Sequence, residues 1–467
     1  MFRKIEIWIL YLVIVLAIIF AILFGVLVRQ ELVGSVKLGP VSKFAVFLSE
    51  IPMNIKKIFH VVKDPGIERA VGSDFENKYG FIGNNNRKDI YLLLSRFDGD
   101  IQEAVVELIH LDKFKLIHKW NPDVKSINKK IDTRRDEYKL LNRDFHENRY
   151  KIDSPILDRD GGLVIHPNGS ALVKIDPCND VVWINDKDHF HHMGVMDNDG
   201  YFWIPSSIFP YSISEQKIGE KYGDFFDDAI TKVSSEGKIL FQKSVMEIFL
   251  ENNLHSLFFS NQIFDGDPIH LNDIQPVSKN SKYWKKGDLF LSLRTPNMIM
   301  QYRPKDNRII NMITGPFINQ HDVDIISESE ISIFNNNLHY YKGARVKGGN
   351  LHFDTINELK VAEIIIYDFE SQKFRKKFQE SLNLYKVKTS VQGLSEILDD
   401  GSLFIEETQK GRLLFFDKKG NLEWEYINKA KNGKNYALGF SKILYNDKNL
   451  KNSIEMIKNK KCNILSH

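Results

Sequence analysis

Residues 393–426 read GLSEILDDGSLFIEETQKGRLLFFDKKGNLEWEY. Three short apolar runs lie in this stretch, around Leu403–Ile405, Leu413–Phe416 and Leu422–Tyr426. Asp400-Gly401 and Lys419-Gly420-Asn421 punctuate them. Runs this short, rich in β-branched and aromatic residues and bounded by Gly/Asp/Asn pairs, are strands joined by tight turns. Gly393 lies eight residues before the turn glycine Gly401, and the same interval recurs elsewhere. His192 precedes Gly200 by eight residues, with the run YFWIP following, and His321 precedes Ser329 by eight, with ISIF following. A fourth copy runs from His270 (HLNDIQPV) to the turn Lys286-Gly287 and the strand DLFLSLR, with SKNSKYWKK inserted before the turn. A fifth, HPNGSALVKID, places Gly161 in the leading position, eight residues before Gly169.

A strand-only repeat of roughly 40–50 residues indicates a β-propeller, each repeat forming one four-stranded blade. Other strand runs include Ile90–Ser95, Ala104–His110, Leu289–Leu293, Ile331–Phe334, Glu363–Tyr367 and Leu413–Phe416. The copies and the strands before residue 121 predict an all-β, six-bladed propeller over residues 76–450. The innermost strands of successive blades line one channel, so His192, His270 and His321 are expected to converge there. A charged stretch at 123–150, without Gly or Pro, is expected as a helical insertion with a solvated face. Residues 451–467 are expected as a C-terminal tail.

Near the N terminus, Ile7–Val28 reads IWILYLVIVLAIIFAILFGVLV and carries no charge. About 20 apolar residues span the hydrocarbon core of a bilayer. A cleaved signal has an apolar stretch of about 7–15 residues and a small-residue cleavage site. Here the run is longer and Arg29-Gln30-Glu31 follows directly, so residues 1–31 are read as a cytoplasmic tip and an uncleaved single transmembrane helix. Arg3 and Lys4 precede the span, which fits a cytoplasmic N terminus, although Arg29, Lys37 and Lys43 follow it. The propeller then lies on the periplasmic side of the inner membrane. Residues 32–75 form a juxtamembrane linker in which 46–51 and 55–59 suit either a short surface-lying amphipathic helix or an ordinary packed one.

A net charge of +3 with 27% charged residues is too balanced to imply nucleic acid as a partner. Cys178 and Cys462 lie in no CxxC or Cys/His pattern, so zinc and a redox pair are not indicated. An exported chain allows the two to pair. The favoured reading is a small buried Cys178 and a free thiol in a frayed tail at Cys462.

The string HLND at His270, the strand GDLFLSLR ending in Arg294 and the later Gln320-His321-Asp322 resemble the bacterial arylsulfotransferases that do not use phosphoadenosine phosphosulfate. The resemblance covers roughly residues 85–445 and is strongest over 160–335 and 390–426. It implies transfer of a sulfuryl group from an aryl sulfate ester to a phenolic acceptor, with no cofactor and no metal. It also implies that His321 is the histidine that attacks sulfur and becomes a sulfohistidine. His270, Asn272 and Arg294 match the residues that cradle the sulfate, and His192 matches a further active-site histidine. His191 fits less well, because only His192 keeps the eight-residue interval.

The chemistry suits these residue types. Sulfuryl transfer, like phosphoryl transfer, spreads charge over three oxygens. Neutral imidazole is a suitable nucleophile near pH 7. Arg294 supplies a fixed cation and Asn272 an N–H donor. His192 or His270 would pass the proton between the phenols. Asp322 is expected to orient backbone or a neighbouring blade, because adjacent residues of a strand face opposite ways. Two departures stand out: Met193 replaces the Asp common after the family's His-His pair, and SKNSKYWKK interrupts the fourth copy. Tyr283 and Trp284 in that insertion are expected to pack on a neighbouring blade rather than stack on substrate. His166, His189 and His339 are read as surface or structural. Two rival readings are a metal-dependent enzyme using the three histidines, against which Arg294 argues, and a non-catalytic envelope scaffold.

Overall fold

In a computed structural model the protein is described at residues 6–33, 39–49, 51, 69–72, 74–131, 149–213, 225–257, 266–347, 350–445 and 447–462. It divides into two units, Met1–Ile67 and Glu68–His467. The first contains helix α1, Ile7–Val33, whose segment Ile7–Arg29 is long and apolar enough to cross a membrane. It is exposed along its length, as a membrane anchor or a signal sequence would be and the core helix of a soluble protein would not. A shorter apolar helix covers Pro40–Ser49. The second amphipathic candidate, 55–59, lies outside the described residues.

The second unit is an all-β, propeller-like fold. All six strand runs named above fall within strands. Four sheets have four or five strands each, and one has eight. The eight-stranded sheet runs through two blade-sized halves, joined where Phe190 pairs with Ser206 and His189 with Ser207. Six separate sheets, as the repeat predicts, are therefore not what the strand pairing gives.

Local chemistry explains why the chain turns where it does. Asp197 accepts hydrogen bonds from Asp199 N (3.0 Å) and Tyr201 N (2.9 Å) through Oδ1, while Gly200, at φ +90°, donates to the Asp197 carbonyl. Asp417 repeats the pattern with Lys419 N, Asn421 N and Gly420. An Asx turn closed by a left-handed glycine ends one strand and starts the next. The same geometry corrects one reading. Gly161 (φ +81°) donates to the Asp158 carbonyl, so it occupies the turn and not the leading position. Asp153 leads that repeat, eight residues earlier. The turn at Pro167–Gly169 belongs to the next hairpin, and the four-residue strand Leu163–His166 between the two turns reproduces the eight-residue interval by chance.

The core lies between the sheets, in clusters such as Leu271, Leu289, Leu291 and Met300. Both ends of the second unit are stitched into the ring. Lys442–Tyr445 pairs with Ile90–Leu93, and Gly80–Gly83 pairs with Trp424–Ile427. Trp284, from the inserted segment, is buried against Phe290 and Phe369, the packing role expected of it. Of the charged stretch, Val124–Asn128 is a helix capped by Asp123, and 132–148 lie outside the described residues.

The C-terminal segment differs from expectation. Helix α2, Lys448–Asn459, buries Leu450, Ile454 and Ile457 in the cluster that holds Leu163 and Val173. Cys462 is bonded to Cys178 rather than free, at a sequence separation of 284. The apolar face of α2 brings the two cysteines together, which no local spacing could reveal.

Candidate functional site

Six edge strands begin or run along the channel: β1 (Asp153–Leu157), β2 (Val195–Met196), β3 (Leu271–Pro276), β4 (His321–Ile325), β5 (Leu394–Ile397) and β6 (Lys442–Tyr445). The register shifts at the start of β1, β3 and β4, between Asp153/Ile156, Leu271/Asp273 and His321/Val323. His192 (φ +57°), His270 (+50°) and Asp322 (+53°) hold left-handed backbone there. A bulge redirects a side chain, and a non-glycine residue at positive φ costs on the order of 1–3 kcal/mol, a strain that clusters at functional sites.

The consequence is convergence. Ring centroids lie 4.9 Å apart for His192 and His270, 6.2 Å for His192 and His321, and 6.5 Å for His270 and His321. One nitrogen from each lies within 4.8 Å of the others. Arg294, at the end of the strand Leu289–Leu293, donates its backbone N–H to the His270 carbonyl (3.1 Å). Its Nε is buried and has no hydrogen-bond partner. Burial pushes its pKa down, and Asp267 opposes that.

Each imidazole is held from behind by a different partner. His321 is buried, and its Nδ1 lies 2.6 Å from Asn336 Oδ1. The Asn336 amide nitrogen donates to the carbonyls of Thr389 (3.0 Å) and Gln392 (2.7 Å), which fixes its oxygen toward the histidine. An oxygen can only accept, so His321 carries its proton on Nδ1 and keeps its lone pair on Nε2. The backbone N–H of Gln392 donates to that nitrogen (3.2 Å). His270 Nδ1 contacts Asp267 Oδ2. His192 Nδ1 lies 2.8 Å from His191 Nδ1, and His191 Nε2 lies 3.2 Å from Asp228 Oδ1.

Burial, then the charges of Arg294 and His270, push the His321 pKa down to about 3. Burial, reinforced by His270, His191, His321 and Arg294, holds that of His192 well below its ordinary value. Both are neutral imidazoles at pH 7. Burial works against the Asp267 carboxylate, but the hydrogen bond from His270 and the charges of His270, His191 and Arg294 outweigh it and lower its pKa.

Of the residues singled out in the sequence, His192, His270, His321 and Arg294 come together. Asn272 is fully buried one step further along, and its Nδ2 donates to the Gln320 carbonyl (2.8 Å), joining β3 to the approach to β4. His191 is beside the site, behind His192. Asp322 accepts from Ser395 N (2.7 Å) on β5 and supports the neighbouring sheet, the role expected of it. Met193 packs with Leu92, Leu94, Leu438 and Phe440 and offers His192 no charge. His166 is fully buried, and His339 meets Asn337 at 3.1 Å. Asp267, Asn336 and Asp228 were not singled out. The spacing Asp267-x-x-His270 was a usable signal, whereas Asp228 opens a strand and Asn336 directly follows one, and the pairing of those strands must be known first.

Below the histidines the channel changes character. Asp273, Asp324 and Glu396 stand on β3, β4 and β5, with Lys442 on β6. Burial, with Asp324 adding to it, pushes Asp273 up to about 8 and Glu396 up to about 8; burial pushes Asp324 up to about 7.

Residues 155–429, more than half of the chain, match the family described as Arylsulfotransferase (ASST). A search of curated proteins finds no match. Among solved structures, the chain is similar to a protein of unknown function from Bacteroides caccae, with a TM-score of 0.45, 11% identity, and 76% of this chain and 99% of that chain covered. It is also similar to TolB from Acinetobacter baumannii (TM-score 0.41, 10% identity, 76% and 66% covered). Virginiamycin B lyase from Staphylococcus aureus is a third (TM-score 0.32, 10% identity, 58% and 69% covered). Likenesses this distant carry no argument about activity.

Proposed function

Because the chain belongs to the arylsulfotransferase family, we propose that it moves a sulfuryl group from an aryl sulfate ester to a phenolic acceptor through a sulfohistidine at His321. The observation that supports this most is the pairing of a neutral, buried His321, its proton held on Nδ1 by Asn336 and its lone pair on Nε2, with the buried, unpartnered Nε of Arg294. An unpaired buried guanidinium N–H carries a desolvation cost that an anion would remove.

The chemistry balances at both steps. His321 Nε2 forms a bond to sulfur as the ester S–O bond breaks, and the departing phenolic oxygen takes a proton from a neighbouring imidazole. The acceptor then returns that proton to the same imidazole as its oxygen attacks sulfur, and the N–S pair goes back to Nε2. Arg294 neutralises the sulfuryl oxygens and His270 flanks them, while Asn272, whose Nδ2 donates to the Gln320 carbonyl, supports the site from behind. The metal reading is less well supported, since a guanidinium beside a dication is unfavourable without carboxylate ligands.

Around this site we read the eight-stranded sheet as two blades, which gives a six-bladed propeller over 76–450. Residues 1–31 are its tip and anchor, 32–75 its linker and 451–467 its tail. The Cys178–Cys462 disulfide supports placing the propeller on the oxidising, periplasmic side of the inner membrane.

The test is intact mass and phenol release from the full-length chain in detergent, incubated with p-nitrophenyl sulfate. Wild type should gain one sulfuryl group and release p-nitrophenol; His321→Ala should do neither. Phenol release that survives in His321→Ala would sink the reading, and so would loss of wild-type activity on chelation.

A further inference from the structure

His191 does not reach the pocket, yet its position is specific. It is buried, with Nδ1 2.8 Å from His192 Nδ1 and Nε2 3.2 Å from Asp228 Oδ1. Asp228 is itself fixed, because Leu271 N donates to its Oδ2 (2.7 Å) and Ser207 Oγ to its Oδ1 (3.0 Å). The His192 ring lies against those of His270 and His321, with centroids 4.9 and 6.2 Å away. Met193, where a carboxylate is common in the family, is apolar and turned into the core. The chain therefore carries a carboxylate at ion-pair distance from one imidazole, which is hydrogen-bonded to a second imidazole beside the pocket.

We propose that His191 and Asp228 form a proton-storing, positioning pair that lets His192 serve as acid in one half of the reaction and base in the other while remaining neutral throughout. The proposal rests on the sulfotransfer reading above. The step requires His191 to hold a proton on each nitrogen, with Nε2 at ion-pair distance from Asp228 and Nδ1–H donating to His192 Nδ1. His192 then carries its proton on Nε2. When the aryl S–O bond breaks, the phenolic oxygen takes the His192 Nε2 proton, and the His191 Nδ1 proton moves to His192 Nδ1. His191 is now neutral, still Nε2–H toward Asp228, and His192 presents a bare Nε2. The acceptor phenol reverses both transfers. No proton or electron enters from outside, and the pocket never holds an imidazolium beside Arg294. Shifting the positive charge to His191, against the Asp228 carboxylate, satisfies the burial that disfavours charge on His192.

A purely structural pair and a proton-storing pair differ in one readout. A p-nitrophenolate leaving group needs little protonation, whereas an unactivated phenol needs a full proton. General acid catalysis typically contributes about 10²–10⁴-fold where it is needed. Full-length wild type, His191→Asn, His191→Phe and Asp228→Asn would each be assayed with p-nitrophenyl sulfate and with 4-methylphenyl sulfate, with thermal melting as a folding control. Asn keeps a hydrogen-bonding group near His192 but cannot pass a proton through. The expected result for His191→Asn is a first-turnover phenol release changed less than about threefold with the nitrophenyl ester and lowered roughly 100-fold with the methylphenyl ester. Equal losses on both esters, or no loss on either, overturn the pair as a proton store. If His191→Phe or Asp228→Asn fails to melt cooperatively, His191→Asn alone decides. A wild type that transfers no sulfuryl group overturns the sulfotransfer reading and the pair with it, whereas a transferring wild type with parallel losses overturns only the pair.

Discussion

The two ends of the channel are built from the same strands and carry opposite chemistry. At the mouth, β3 and β4 begin with His270 and His321, and Arg294 stands beside them without a partner at Nε. Three residues deeper, roughly 10 Å at the rise of a strand, the same strands present Asp273 and Asp324, joined by Glu396 and opposed by Lys442. The mouth holds His321, which stays neutral, and a guanidinium whose Nε has no hydrogen-bond partner. The floor holds acids crowded enough that burial and mutual repulsion keep them protonated. An anion is therefore held by the donors at the mouth, where His321 can reach it, and the protonated acids below add no charge of their own.

Arg294 should be the most sensitive point of that contrast. Arg294→Met removes the mouth's fixed positive charge without opening the core, and turnover should fall about 10²–10³-fold, the scale of losing one preorganised donor. Steady-state rates with p-nitrophenyl sulfate would show it; a fall under about threefold would mean that the mouth is not organised around an anion. A smaller loss is expected at Asn336→Leu, which leaves His321 Nδ1 without its acceptor and frees the ring to take the other tautomer. About 10–100-fold in the rate of adduct formation fits loss of an orienting partner, with a lower melting temperature because the Thr389 and Gln392 carbonyls lose their donor. Restoring activity with Asn336→Asp, which keeps an acceptor oxygen, would sharpen the assignment.

Much of this was legible before any coordinates. The eight-residue interval identified His192 and His321 because an Asx turn closed by glycine, or by Ser329, fixes the distance from channel to rim. It failed at Gly161, where two successive turns happen to lie eight residues apart. The blade count could not be read as separate sheets because Phe190 and His189 pair across to Ser206 and Ser207, an edge contact with no sequence signature. The disulfide and the ordered C-terminal helix were missed because their partners lie far away in sequence. Asn336 and Asp228 were missed for the same reason. By contrast, α1 and the packing of Trp284 followed directly from apolar length and volume.

The smallest expected effect tests the floor through stability. Asp324 has an ordinary value of 3.8 and is pushed up to about 7 by burial. The folded state therefore keeps a proton that the unfolded chain releases, so its contribution is present below pH 4 and is lost as pH rises toward 7. His321 has the opposite sign. Its pKa falls from 6.5 to about 3, so the unfolded chain binds a proton first and stability is lost as pH falls between those values. Asp324→Asn should match wild type near pH 4 and exceed it at pH 8 by about 1 kcal/mol, less than the full shift implies because Asp324 is only partly excluded from solvent. His321→Asn should instead lose the acid-side decline. Denaturant midpoints at pH 4, 6 and 8 measure both. If the two variants shift stability with the same pH dependence, the mouth and the floor are one electrostatic environment rather than two. If they diverge, and Asp324→Asn turns over substrate normally, the floor is a separate environment that takes no part in the transfer.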